Sequence, residues 1–223
     1  MSPMTGWEPK YQPELWNQDQ NRLSHNCFAY ALNILDPRQV KRCKETNSCS
    51  VPFPQPGLAG GYDNFKAKNP KTCPDMTTRI LGDNPSIRPT TFEEKCPAGS
   101  SKIALVVDED EDYHFLRQDD TGWWSQKGGA KPVTIFDAGG HFIWNPELAD
   151  NNWTNNSGVL NYNVFCGYFC VPRTKPLFMR TSGGGRKRRS TRRKQKRPAS
   201  ARHGKKSKRS RISQTKRSRG RTV

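Results

Sequence analysis

Residues 102–129 read "KIALVVDEDEDYHFLRQDDTGWWSQKGG", and this stretch decides the fold class. "KIALVV" is a short apolar run, "DEDED" an acidic turn, and "YHFLRQ" an alternating segment. "DDTG" is a turn sequence and "WWSQKG" a further strand. Short strand-like runs joined by tight turns predict an antiparallel meander. Moving outward, "PVTIFD" after Lys131 and "HFIWNP" from His141 are expected to add strands, and "YNVFCGYFCVP" (162–172) to close the sheet. On the N-terminal side, "SHNCFAYALNIL" (24–35) places Cys27, Tyr30, Ala31, Ile34 and Leu35 on one apolar helical stripe, with Asn26 as N-cap and Asp36-Pro37 as the stop. One helix followed by several antiparallel strands makes an α+β body.

The remainder is less periodic. The first 23 residues are polar and rich in Trp, Pro and Gln, and read as an irregular arm. Residues 41–101 alternate Pro, Gly, Cys and polar residues over a length that exceeds an ordinary connection, so they are expected to fold over the body. "TSGGG" at 181–185 reads as a flexible hinge. The expected organisation is an arm over 1–21, an α+β domain over 22–175 and a basic tail over 176–223.

Charge divides the chain sharply. Of 38 Lys and Arg, 19 lie in residues 182–223, which hold no Asp or Glu. The preceding residues carry the other 19 cations against all 20 acidic side chains and sit near neutrality. Such a tail buries no core and is expected to be disordered when free. It is expected to bind nucleic acid by counterion release, without reading sequence, through Arg186, Lys187, Arg188, Arg189, Arg192, Arg193, Lys194, Lys196, Arg197, Lys205, Lys206, Lys208 and Arg209. Its lack of aromatics argues against base stacking. "RKRRSTRRKQKR" also satisfies a nuclear-localisation signal. Phosphorylation of Ser190, Ser200 or Ser210 would weaken polyanion binding.

The N-terminus shows no basic start followed by an apolar run, and no segment has the length of a membrane span. Asn152-Trp153-Thr154 and Asn155-Asn156-Ser157 match the N-glycosylation pattern; without an export signal they are expected to be unused. Seven cysteines leave at least one free thiol if the rest pair. None stands in a CxxC, and neither a metal site nor a cofactor is expected. The acidic "DEDED" reads as a solvated turn.

Cys27 is the candidate nucleophile, since a helix N-terminus lowers a thiol's pKa. The same position suits a small core residue. A nucleophile needs an imidazole, and His114, on a strand, is better fixed than His141. Antiparallel pairing sets His114 roughly opposite Gln126 and Lys127, and the Gln126 amide oxygen is suited to accept from the imidazole. The aromatic residues Trp123, Trp124, Trp144 and Trp153 are candidates for a substrate groove or for core.

Cysteine at a helix start, histidine on a strand and a polar residue on the next strand resemble the NlpC/P60 group of papain-like cysteine hydrolases. "NCFAYAL", "DYHFLRQ", "WSQKGG" and "CGYFCVP" resemble more closely a bacterial and viral set with that arrangement, over residues 22–173. The resemblance implies a papain-like fold and a thiol-dependent peptidase or amidase acting on a peptide or amide. It makes Cys27 the nucleophile, His114 the base and Gln126 the orienting residue, in place of the family's usual histidine. The basic tail is similar to those of virion proteins of large DNA viruses. That implies a virion location, with host cytoplasm or nucleus during production, and capsid or core proteins as partners. The alternatives are an inactive structural capsid or core protein touching the genome, and a nuclear DNA-binding protein.

Overall fold

Lys102–Gly129 folds into the centre of an antiparallel sheet. A computed structural model describes residues 1–46, 49, 52–65, 70–154 and 160–181. In chain order the helices are α1 (Pro13–Trp16), α2 (Asp19–Arg22), α3 (Cys27–Leu32), α4 (Pro37–Glu45) and α5 (Cys73–Asp83). The strands are β1 (Arg88–Thr90), β2 (Ser100–Asp108), β3 (Asp112–Gln118), β4 (Trp124–Lys127), β5 (Val133–Thr134) and β6 (Val164–Pro172). The sheet order is β1-β6-β2-β3-β4-β5. The meander runs from β2 to β5 as read, and the chain then returns to lay β6 against the other side of β2. "HFIWNP" does not become a strand: Phe142 forms only an isolated bridge with Phe136.

Both faces of the sheet are covered, which is why "KIALVV" is a continuous apolar run rather than an alternating one. Ile103, Leu105 and Val107 of β2, with Tyr113 and Phe115 of β3, face α3 and α5. Ala104, Val106 and Leu116 face the opposite way, against Trp124, Ile143, Tyr162 and Tyr168.

α3 is shorter than its apolar stripe. Asn26 caps it by accepting from the Ala29 N–H at 3.3 Å, and Asn33 ends it in the left-handed conformation at φ 57°. All six helical residues are buried. The sheet covers one side and Trp16 the other, so the helix is enclosed rather than amphipathic. Its C-terminal carbonyls are held by two guanidiniums, one from buried Arg117 and one from half-buried Arg173. Arg117 donates to Tyr30 O at 3.1 Å, and Arg173 donates to Leu32 O at 2.9 Å and Ala31 O at 3.1 Å. Asp36-Pro37 does not only stop one pattern; Asp36 is the N-cap of α4, accepting from the Arg38 N–H.

The N-terminal arm belongs to the body. Ser2 is buried, receives Lys102 Nζ on its hydroxyl at 2.7 Å, and offers its carbonyl to Gln118 at 2.9 Å. Lys10 O accepts from Arg117 at 2.9 Å, and Trp16 packs edge-on to Tyr30.

Six cysteines pair as Cys43–Cys49, Cys73–Cys166 and Cys96–Cys170, leaving Cys27 free. Two of these bridges land on β6, on opposite faces of the sheet. A bulge explains how. Leu105 pairs with Gly167 and Val106 with Phe165, so Cys166 is the extra residue and the alternation reverses there. Cys166 therefore joins the α5 side, while Cys170, four residues on, reaches Cys96.

Candidate functional site

Cys27 opens α3 and presses its sulfur against β3, 4.0 Å from the Tyr113 carbonyl oxygen. It is 5% exposed and sits in the cluster formed by Phe28, Tyr113 and Phe115. Burial pushes the thiol up to about 12, assisted by the charge of Asp112. The partial positive charge of a six-residue helix does not offset that loss of hydration.

His114 and Gln126 meet as the strand pairing predicts. Leu116 is directly opposite Gln126, so His114 is its diagonal neighbour on the same face, and His114 Nε2 lies 2.7 Å from Gln126 Oε1. The Gln126 amide nitrogen donates to Phe136 O at 2.7 Å, which turns Oε1 toward the ring. His114 Nε2 therefore carries the proton and donates it. The ring stacks on Tyr162, and burial lowers its pKa to about 4, so the imidazole is neutral.

The structure does not bring the nucleophile and base together. Tyr113 and Phe115 flank His114 and point toward Cys27, so His114, between them, points through to the other face. The sheet separates the thiol from the imidazole. This corrects the pairing expected from the sequence: the order along the chain is right and the side of the sheet is not. The protonated thiol, the neutral weakly basic histidine, the burial of both and the sheet between them leave no activated nucleophile there.

Sequence reasoning passed over a second adjacent pair, Ser24 and His25, which also proves structural. His25 Nε2 accepts from the Asp36 N–H at 2.9 Å, so its proton is on Nδ1, beside Ser24 Oγ at 2.8 Å. The Ser24 hydroxyl donates to Gln20 O and has no base. Lys127 is buried on the Cys27 side, where its ammonium donates to Arg22 O and Gly129 O. Burial lowers its pKa to about 7. The aromatic residues expected around a groove are dispersed: Trp124 and Trp153 belong to the second core cluster, and Trp144 is half exposed. A cleft of about 730 Å³, bordered by Asp36, Arg38, Arg42, Asp83, Phe178 and Arg180, touches neither Cys27 nor His114.

The acidic turn is used locally. Asp108 accepts from the Asn161 N–H at 2.9 Å and Asp112 from the Tyr162 hydroxyl at 3.1 Å. The expected nucleic-acid contacts, from Arg186 to Arg209, lie outside the described residues. Among the described residues no helix is long and apolar enough to cross a membrane.

No family model matches the chain, and no solved structure matches it. Insoluble matrix shell protein 1 of Ruditapes philippinarum is 33% identical over 170 residues, an alignment that covers 74% of this chain and 93% of the relative. With that identity and nearly all of the relative spanned, the chain belongs to the family of insoluble matrix shell protein 1.

Proposed function

We propose that the chain is a structural component of an extracellular protein matrix, a disulfide-braced body whose basic C-terminal segment binds acidic polymers. The observation that carries this reading is the use of the cysteines. Six of the seven are paired, two pairs fastening β6 from opposite faces. Bridges of this kind belong to oxidising compartments, and a braced small sheet resists unfolding outside the cell. The relative's name, an insoluble matrix protein of a shell, supports the same reading.

A papain-like thiol hydrolase would need sulfur and imidazole on one side of the sheet, in a groove open to a peptide. Here they occupy opposite sides, both buried, so the geometry favours a scaffold over an enzyme. A genome-packaging role draws on the basic segment alone, and nucleic acid is one polyanion among several that 19 cations would hold.

The test is fractionation of the producing organism, followed by immunoblotting under reducing and non-reducing conditions. The chain is expected outside the cells, in the detergent-insoluble fraction, with its bridges intact. Recovery from cytosol with free thiols overturns the proposal.

A further inference from the structure

We propose that Asn152 carries an N-linked glycan, which makes the loop between β5 and β6 a modification site on the outer surface of the body. Asn152-Trp153-Thr154 has the acceptor spacing, and the fold presents it in an outward-facing form. Asn152 pairs antiparallel with Asn161, and the Trp153 N–H donates to Leu160 O at 3.0 Å, so the segment is extended. Extended backbone alternates its side chains. Trp153 turns inward and packs against the second core cluster, while Asn152 and Thr154 are exposed on either side of it.

The two outward residues are already joined. Asn152 Oδ1 accepts from the Thr154 N–H at 3.1 Å and from the Thr154 hydroxyl at 2.7 Å. The Asn152 backbone N–H is held by Asp150 at 2.9 Å, and among the described residues its side-chain Nδ2 has no partner. Nδ2 is the atom that glycosylation consumes. With a lipid-linked oligosaccharide pyrophosphate as donor, Nδ2 forms a bond to the anomeric carbon. The bond from that carbon to the pyrophosphate oxygen breaks, the lipid pyrophosphate departs, and the amide gives up one proton. Nothing in the core loses a contact, because Trp153 anchors the loop and the amide nitrogen stands clear of it.

The remaining requirement is passage through the compartment where such donors act. The inference rests on the extracellular reading in this respect alone. The three disulfides form in the same oxidising lumen, which overrides the expectation that these sites stay unused. The neighbouring pattern Asn155-Asn156-Ser157 lies outside the described residues, and the assignment is to Asn152.

The experiment uses the full chain purified from its native source. Peptide N-glycosidase treatment in heavy-oxygen water converts a glycosylated asparagine to labelled aspartate, and mass spectrometry locates it. Label at position 152 is expected. Unconverted Asn152 in a chain whose Cys73–Cys166 and Cys96–Cys170 bridges are intact overturns the glycan and leaves the extracellular reading standing. Label confined to Asn155 also overturns it, and a chain with neither glycan nor bridges overturns both readings. In the full chain secreted from animal cells, Thr154→Ala is expected to lose one glycan's worth of gel retardation and Thr154→Ser to keep it. Equal mobility of Thr154→Ala and the unaltered chain counts against the site.

Discussion

His114 is wholly out of water, with its one N–H given to Gln126 and its ring against Tyr162, and that environment makes it a stability switch rather than a base. Its pKa falls from 6.5 to about 4 in the folded chain. The folded state therefore prefers the neutral ring. Above 6.5 the contribution is fully present; as pH falls the unfolded chain takes up the proton first, and the contribution is gone near 4. The shift corresponds to roughly 3 kcal/mol. Asp83 runs the other way: burial raises its carboxyl to about 6, so the stability it lends at low pH is lost as pH rises through that value. The comparison that isolates the histidine is with His114→Gln, in which Asp83 is common to both. Urea unfolding of the two proteins should show their stability difference shrinking or reversing by about that amount between neutral pH and pH near 4. A constant difference across the range would mean that His114 titrates in the fold as it does in the unfolded chain, and a difference that grew toward low pH would mean that it is charged there. The His114–Gln126 contact was legible in the sequence because strand pairing and turn length fix which residues lie opposite. The side of the sheet was not legible. "YHFLRQ" has apolar or aromatic residues on both alternating sets, as a strand buried on two faces must, so nothing in it says which set meets the helix bearing Cys27.

At the scale of the element, β6 is where the molecule is fastened. Cys73–Cys166 closes a separation of 93 residues and Cys96–Cys170 one of 74, whereas Cys43–Cys49 closes only 6. In the chain-entropy picture, the long closures stabilise by about 4–5 kcal/mol each and the short one by about 2. Replacing Cys73 and Cys166 together by Ala should lower the urea midpoint more than replacing Cys43 and Cys49 together; the reverse order would place the stabilisation in local geometry rather than in loop closure. The sequence offered "CGYFC", but a spacing of four on a regular strand puts both sulfurs on one face. The bulge at Cys166, beside Gly167 at φ 123°, reverses the alternation and sends them to different partners. Bulges depend on a partner strand's register, which a single sequence does not display. The stretch 41–101 folds over the body as expected, with α5 packed on the sheet, but its helices were hidden for a related reason. α4, which enters it from Pro37, and α5, which starts within it at Cys73, carry recognisable capping residues, Asp36 and Thr72, yet the Pro, Gly and Cys around them hid the periodicity.

For the whole molecule, charge separates a near-neutral body from a basic C-terminal segment. Binding of the full chain to a sulfated polysaccharide or to duplex DNA should fall with salt at a log–log slope of several units, and hardly depend on base sequence. Truncation after Ser182 should abolish that binding and leave the body's thermal unfolding unchanged; a truncated body that binds with the same affinity and slope would move the polyanion site into the fold. The compositional break was plain in the sequence. The packing of the first residues was not, because Ser2 and Glu8 are held by polar contacts that leave no periodic trace. On the proposed function the body is a disulfide-braced scaffold with a sealed thiol. Stepwise cysteine alkylation of the natively purified chain tests it most directly: first folded, then in guanidinium without reductant, then after reduction, with each labelled peptide mapped. No label is expected in the folded chain, Cys27 alone on unfolding, and the other six only after reduction. Rapid labelling of Cys27 in the folded protein, at the rate of an exposed or activated thiol, would contradict it.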